Sequence, residues 1–364
     1  KMKLYVWGLT SKKYEDDRLI INNYLDDVSF LILLKSLIIS LIIIFNYLLI
    51  YYRNKKQLNN TSFFSFPSLF SIVLRDITFQ KCYKRSNSKI MISNDDVKRL
   101  KPLRYSGPFI PLQSALINEN KEIFISKYYS CFNEVINKAD LYCVESSYDK
   151  DLLEKYPSQT KNIIVTGQSR FGNIANVSIS KKEVFKKYGI KEENKIYLWL
   201  TQTHGLSKYE NNENIILITK IFKQLPCVNL IIKLHPAEKQ QNTIYEKINI
   251  DNKYIVKGSA NLYELLSISD VVITRHSNAG KEAAIFNIPL LILNSVDDTI
   301  TMYEKEKIAY KISTVSDFLN AHILLDTVEE RIILSRNLDN FNKNHNSLFQ
   351  KTPQKIYDII KQYI

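Results

Sequence analysis

The residues from Gly258 to Asn294 read GSANLYELLSISDVVITRHSNAGKEAAIFNIPLLILN, and few folds accommodate such a string. Asp270 to Thr274 is a β-branched run short enough for a buried parallel strand, and Pro289 to Leu293 is a second. Ahead of the first strand, Asn261 to Ser269 sets Leu262, Leu265 and Leu266 at helical spacing. Between the strands, the small polar turn Arg275 to Gly280 leads into a helix over Lys281 to Phe286. Strand, small-residue turn, helix and strand make one βαβ unit. Its turn falls at the carboxyl end of a strand, where open α/β sheets bind ligands. A helix N-terminus there offers unpaired N–H groups and a positive dipole end to a phosphate. The same residues also suit a plain βα connection, and both readings stay open at this point.

The alternation runs through most of the chain. Lys3 to Trp7 reads as a strand and Tyr14 to Asp27 as a polar helix. Phe63 to Phe79 reads as an aromatic helix or membrane-facing loop. Ser88 to Ser93 is a strand ended by Asn94, Asp95 and Asp96, and Phe109 to Leu112 is a strand followed by Gln113, Ser114 and Ala115. A helix over Ile123 to Lys138 precedes the strand Leu141 to Val144, which ends in Glu145-Ser146-Ser147. After a helix over Tyr148 to Lys155, the strand Asn162 to Thr166 closes on Gly167-Gln168-Ser169-Arg170-Phe171. The polar stretch Phe171 to Ser180 is placed as an interdomain linker. A second alternation then begins: helix Lys181 to Tyr188, strand Lys195 to Leu200, helix Asn212 to Gln224, strand Asn229 to Leu234 and strand Tyr254 to Val256. Helices over Ile300 to Glu306, Val315 to Leu325, Val328 to Phe341 and Pro353 to Ile364 complete the chain. Such alternation is the signature of parallel sheets covered by helices on both faces. With 364 residues, two domains are expected, 1–172 and 173–340, with 341–364 packing back on the first.

The segment Val28 to Tyr52 stands apart. Its only charge is Lys35, and Ser36 to Tyr52 is seventeen residues without one, followed by Arg53, Lys55 and Lys56. Three readings compete: a helix at about 28–52 buried in the first domain, a helix lying in a bilayer face, or a span, which needs about 20 apolar residues. The acidic, strand-like stretch ahead of it and the lack of a small-residue cleavage site argue against a cleavable signal peptide. The net charge of +13 favours anionic partners such as nucleotides or lipid head groups. That charge is spread along the chain rather than clustered with aromatics, so no nucleic-acid partner is expected. Cys82, Cys131, Cys143 and Cys227 are too widely spaced for a disulfide framework or zinc site, and lone thiols fit a reducing cytoplasm.

Three turns of the second half carry polar groups at strand ends: Thr201-Gln202-Thr203-His204-Gly205, His235-Pro236 and Arg275 to Gly280. In a parallel sheet they share one edge. Together they hold His204, His235 and His276, with small hydroxyls that suit a diphosphate. No HxxxH or HExxH spacing accompanies them, so no metal is expected. GxGxxG, GxxxxGK[ST] and GxSxG are all absent, which argues against a dinucleotide fingerprint, P-loop hydrolysis and an α/β-hydrolase.

Four motifs in order carry a family resemblance: ADLYCVESSYDKDLLEKY, IIVTGQSRF, LIIKLHP and SDVVITRHSNAGKEAAIFNIPLLIL. The last three are similar to the patterns VTGxPRxD, KxHP and SDxxITxxSSxxxEAxxxxxPxI. Across roughly Ile90 to Leu293 the chain resembles GT-B glycosyltransferases, and within them the CDP-glycerol glycerophosphotransferase-like and capsule-polysaccharide transferases. The resemblance implies an α/β fold with two Rossmann-like domains facing a cleft. It also implies a metal-independent transfer, without a cofactor, from a UDP-sugar or a CDP- or CMP-linked donor to a glycan or lipid-linked acceptor. Lys233 and His235 would face the donor phosphates, and Ser277, Asn278, Ala279 and Gly280 would cradle them beside His276. Glu282 would accept from ribose hydroxyls, Thr201, Gln202, Thr203 and His204 would line the donor site, and Asn261 and Leu262 would lie near the base. Gln113, Ser114, Gly167, Ser169 and Arg170 would stand on the acceptor side.

Two departures bear on the chemistry. Where relatives carry a His-Gly turn with a general base, this chain has Gln113-Ser114-Ala115, and a serine needs an activating partner before it acts as a base. The aspartate that follows the motif arginine is replaced, since Arg170 leads to Phe171 and Gly172. Asp95 or Asp96 is then the expected base. The apolar segment and positive charge suit a cytoplasmic protein peripheral to the inner face of the membrane. A non-hydrolysing UDP-sugar epimerase, or a degenerate partner subunit that binds donor without turnover, remain the alternatives.

Overall fold

The computed structural model describes residues 4–7, 19–22, 28–53, 90–94, 108–112, 139–154, 162–168, 180–192, 194–202, 206–236, 240–275, 277–294, 300–346 and 351–363, with isolated positions between them. Contacts divide the chain into two units: Lys1–Pro111 with Cys131–Leu141 and Ile360–Ile364, and Leu112–Ser130 with Tyr142–Ile359.

In the first unit, β1 (Leu4–Trp7) pairs in parallel with β2 (Leu19–Asn22), Val6 opposite Ile21. The reading of Tyr14 to Asp27 as one polar helix is corrected here. Leu19-Ile20-Ile21 is an apolar run with two β-branched residues, and ladder partners on β1 outweigh the weak helical preference of its polar flanks. Helix α1 (Phe30–Arg53) follows, as its unbroken run of Leu and Ile dictates. Among its described side chains, Ile32, Ser36 and Ser40 form the buried stripe, at spacing i, i+4, i+8. Ser36 and Ser40 donate back to the carbonyls of Ile32 and Ser36, each at 2.7 Å, so their hydroxyls need no outside partner. The larger apolar side chains point the other way, Phe30 being 76% and Phe45 63% exposed. Among the described residues no helix is long and apolar enough to cross a membrane. Strands β3 (Met91–Asn94) and β4 (Phe109–Leu112) come next. The backbone of Phe109 exchanges bonds with Asp140, receiving its N–H at 3.0 Å and donating to its Oδ2 at 2.8 Å.

In the second unit, Leu112 at the end of β4 pairs with Cys143 of β5 (Tyr142–Val144), and β5 pairs in parallel with β6 (Ile163–Val165). Helix α2 (Ser147–Glu154) connects them. Helix α3 (Lys181–Tyr188), opened by a Ser180–Glu183 capping box, leads to β7 (Lys195–Leu200). Helix α4 (Lys208–Phe222) starts four residues earlier than periodicity alone suggests, because Ser207 and Glu210 form a second capping box. The chain continues through β8 (Val228–Lys233), β9 (Lys253–Val256), α5 (Leu262–Ile268), β10 (Val271–Thr274), α6 (Ala279–Ile285) and β11 (Leu290–Leu293). It ends with α7 (Met302–Lys305), β12 (Ala309–Ile312), α8 (Val315–Leu324), α9 (Val328–His345) and α10 (Thr352–Lys361).

Strands β7 to β12 form one parallel sheet in the order β12-β11-β10-β7-β8-β9. Alternation along β7 sends Tyr197 and Trp199 into the core on one face and Ile196, Leu198 and Leu200 into the core on the other. Both faces are covered, which is why these strands read as continuous apolar runs.

Candidate functional site

All six strands present their carboxyl ends at one edge of the sheet, and the winding reverses between β7 and β10. Thr201 follows β7, His235 and Pro236 follow β8, Gly258 follows β9, and Arg275 to Gly280 follow β10.

Lys233 closes β8. It is buried, and its Nζ donates to the carbonyl of Gly258 at 2.8 Å. An ammonium has three donors, so this bond leaves two N–H groups for an anion. Burial holds the Lys233 pKa below its ordinary value, while the nearby Glu282 charge works against that shift. Glu282 is itself buried and accepts from the Tyr263 hydroxyl at 3.1 Å.

The turn after β8 is pinned from both sides. The His235 N–H donates to Thr201 Oγ1 at 3.0 Å, and that hydroxyl donates to Glu238 at 2.8 Å. Gln240 Nε2 donates to the carbonyls of His235 and Glu238, and its Oε1 accepts from the Gly258 N–H at 2.6 Å. A Cβ on Gly258 would lie 2.8 Å from Pro236 Cα and 2.9 Å from the His235 carbonyl carbon, so only glycine allows this approach. Glu238, Gln240 and Gly258 were not singled out from the sequence, since nothing in their spacing announces a turn braced by a side-chain amide.

The turn after β10 is compact. Ser277 Oγ accepts from the Ala279 N–H at 3.2 Å, and the Gly280 N–H donates to the Ser277 carbonyl at 3.0 Å. That carbonyl also receives the Tyr303 hydroxyl at 2.6 Å. Arg275, at the start of the turn, pairs with Glu210 at 3.2 Å. Hydrogen bonds from Ser207 hold the Glu210 carboxyl below its usual range, with Arg275 adding to the effect. Asn261 is engaged as the cap of α5, accepting from the Tyr263 N–H at 3.0 Å, and Leu262 begins that helix. Beside them a cavity of about 720 Å³ is lined by Tyr188, Tyr254, Lys257, Ser259 and Asn261.

At the ends of β5 and β6, Gly167 has φ 84°, a conformation glycine adopts without strain. Phe171, just ahead of the position where the family aspartate would stand, is buried at 1% exposure and serves the core. Gln168 donates to Glu145, whose other oxygen receives Lys281 Nζ at 2.8 Å. Burial pushes the Cys143 thiol up to about 12, so it is no nucleophile. Of the remaining expected site residues, Gln202 lies just past β7. Asp95, Asp96, Gln113, Ser114, Ser169, Arg170, Thr203, His204 and His276 lie outside the described residues, as does most of the expected linker. Among the described residues no cluster of three or more His, Cys, Asp or Glu could hold a metal ion.

The family model described as CDP-glycerol:poly(glycerophosphate) glycerophosphotransferase matches residues 77–352. The chain belongs to this glycerophosphotransferase family. No curated protein matches the sequence. Among solved structures, it is similar to WaaG, a glycosyltransferase involved in lipopolysaccharide biosynthesis, with TM-score 0.58 and 12% identity over 98% of this chain and 90% of that one. It is also similar to the wall teichoic acid polymerase TagF soaked with CDPG, with TM-score 0.53 and 14% identity over 82% and 75% of the two chains. A third is UDP-GlcNAc 2-epimerase from Neisseria meningitidis bound to UDP-GlcNAc, with TM-score 0.57 and 14% identity over 83% of each chain. These likenesses establish the α/β GT-B fold. At such identities a fold does not separate a transferase from an epimerase; the glycerophosphotransferase match does, and the chain is a transferase working from a nucleotide-activated donor.

Proposed function

We propose that this glycerophosphotransferase moves glycerol phosphate from CDP-glycerol onto a growing surface polymer or lipid-linked glycan. The observation that carries this reading is the convergence of buried Lys233, the braced His235-Pro236 turn, Glu282 and the Ser277–Gly280 turn at the switch-point edge. The donor diphosphate lies against Lys233 and the 277–280 turn, with Glu282 toward the ribose hydroxyls and the base in the cavity beside Lys257 to Asn261. An acceptor hydroxyl attacks the β-phosphorus, its proton passing to a carboxylate. Asp95 or Asp96, which follow β3, supply that base. The bond between the β-phosphorus and the bridging oxygen breaks, CMP departs, and the Lys233 ammonium offsets its developing charge.

The acceptor reading agrees with a position at the inner face of the cell membrane. Helix α1 turns its bulky apolar residues outward, basic Arg53 ends it, and Lys55 and Lys56 follow in sequence.

Thermal unfolding with CDP, CMP, UDP and GDP, repeated on His235→Ala and Lys233→Ala, tests the donor site. Ligand that binds only the folded chain raises its midpoint. A shift with cytidine nucleotides that both variants lose supports the assignment. A shift with UDP alone moves the donor to a UDP-sugar, and no shift with any nucleotide removes the site from this edge.

A further inference from the structure

Lys281 is the most enclosed charge among the described residues of the second unit. It is 0% exposed, and its ammonium touches Glu145 Oε2 at 2.8 Å and Asp149 Oδ2 at 3.4 Å, both carboxylates being 3% exposed. Asp149 also receives the Ser146 hydroxyl at 2.6 Å, and Glu145 receives Gln168. On the other side, the Lys281 carbonyl accepts from Asn346, the residue that caps α9, at 3.2 Å. Burial disfavours the ammonium, and the charges of Asp149 and Glu145 more than restore it.

The sequence positions of these partners give the cluster its meaning. Lys281 directly follows the Ser277–Gly280 turn and directly precedes Glu282. Glu145 directly follows β5, and Gln168 directly follows Gly167 at the end of β6. One ammonium therefore ties the turn assigned to donor phosphate to the strand ends assigned to the acceptor. An apolar core of equal volume would hold the layers together at least as well as a buried ion cluster. What directed charge pairs add is a fixed position, because each N–H···O bond tolerates only a narrow range of distance and angle.

We infer that Lys281 is a positioning residue: it sets the distance between the donor-phosphate turn and the Gly167–Gln168 side without touching substrate. Its functional half rests on the transferase reading above; its structural half does not.

The test uses the full chain with Lys281→Met, Lys281→Arg and the pair Glu145→Gln with Asp149→Asn. In Lys281→Met we expect the dissociation constant for CDP and the KM for donor to stay within about threefold. Transfer kcat falls about 100-fold, the size of effect a small misplacement of reacting groups produces. Lys281→Arg recovers part of kcat, and the carboxylate double variant behaves as Lys281→Met. Unchanged kcat overturns the inference, as does a loss of CDP binding in step with kcat, which marks a collapsed site. Amide exchange on the same proteins covers the case in which wild type turns over no donor. Residues 277–284 and 145–149 should both exchange at least about tenfold faster in Lys281→Met over and above any common change in β8 and β9. Absence of that paired change overturns the inference whatever the donor. Failure of wild type to bind any cytidine nucleotide, with the paired change present, overturns only the donor reading.

Discussion

The ring of Tyr303 occupies the place a side chain on Gly280 would take: a Cβ there would lie 2.4 Å from Tyr303 Cζ and 2.7 Å from its hydroxyl oxygen. The ring is fully buried, and its hydroxyl is fixed on Ser277. Gly280→Ala should therefore destabilise the chain by about 1–3 kcal/mol, the usual effect of overpacking. Tyr303→Leu removes the obstruction. In urea unfolding, the double variant should lose less stability than the two singles predict together. Strict additivity would mean the two residues do not meet.

Donor binding should weaken on the alkaline side, and earlier than for an ordinary lysine. In the proposed site the ammonium form of Lys233 would hold the phosphate, and burial lowers its pKa from 10.5, so the charge is lost at lower pH. Lys233→Arg keeps its charge at all these pH values and should carry CDP affinity further up the scale. Calorimetric titrations from about pH 7 to 10 would show the difference, since free lysine titrates near 10.4. Coincident profiles for the two proteins would take Lys233 out of the phosphate site.

The Lys281 pKa shifts the opposite way, and the quantity it moves is stability. Its folded pKa lies above 10.5, so the protonated form is favoured by folding. That contribution is complete below 10.5 and is lost as pH rises through the higher folded value. Lys281→Met should be less stable by about 3–5 kcal/mol at neutral pH, because two buried carboxylates lose their partner. Its stability should also decline less steeply on the alkaline side than that of wild type. Chemical unfolding at a series of pH values from neutral upward measures both.

Helix α1 offers a test in which folding and membrane affinity separate. Leu37, Ile38, Leu41 and Ile42 are 38–53% exposed. Replacing all four with Gln, a better helix former than Asn, should cost no more than about 2 kcal/mol in all, since an exposed substitution usually shifts stability by about 0.5 kcal/mol or less. Sedimentation with phosphatidylglycerol vesicles should fall at least tenfold, given about 0.8 kcal/mol per buried methylene withdrawn from lipid. A large drop in midpoint would mean that this face packs on protein instead.

Much of the second unit was legible because its strands are short, apolar and bounded by polar turns. KIYLWL, NLIIKL, DVVIT and NIPLLIL each became a strand close to where the runs lie. Leu19 to Asn22 was missed because three strand-forming residues in a polar stretch carry too little periodicity to announce a partner twelve or more positions away. Candidate positions were legible where a motif marks a strand end, as beside Lys233 and Ser277. They were not legible where a residue works through distant contacts. Lys281 meets Glu145 and Asp149 across separations of 136 and 132 residues, and Gly258 is a glycine on account of Pro236 in the turn after the neighbouring strand. Such pairings exist only once the sheet is wound.

The sheet order has a consequence for the chain as it is made. Strand β7 is synthesised first yet ends at the centre, flanked by β8 on one side and β10 on the other. Strands β8 and β9 can join it at once, but the opposite edge, with Tyr197 to Trp199 awaiting Val271 to Ile273, stays open until the chain has advanced from Leu200 to Thr274. At about 5–20 residues per second that is an interval of several seconds. A ribosome paused within α5 therefore carries a half-sheet with an adhesive apolar margin, the nascent form of this protein most exposed to aggregation and to chaperone capture.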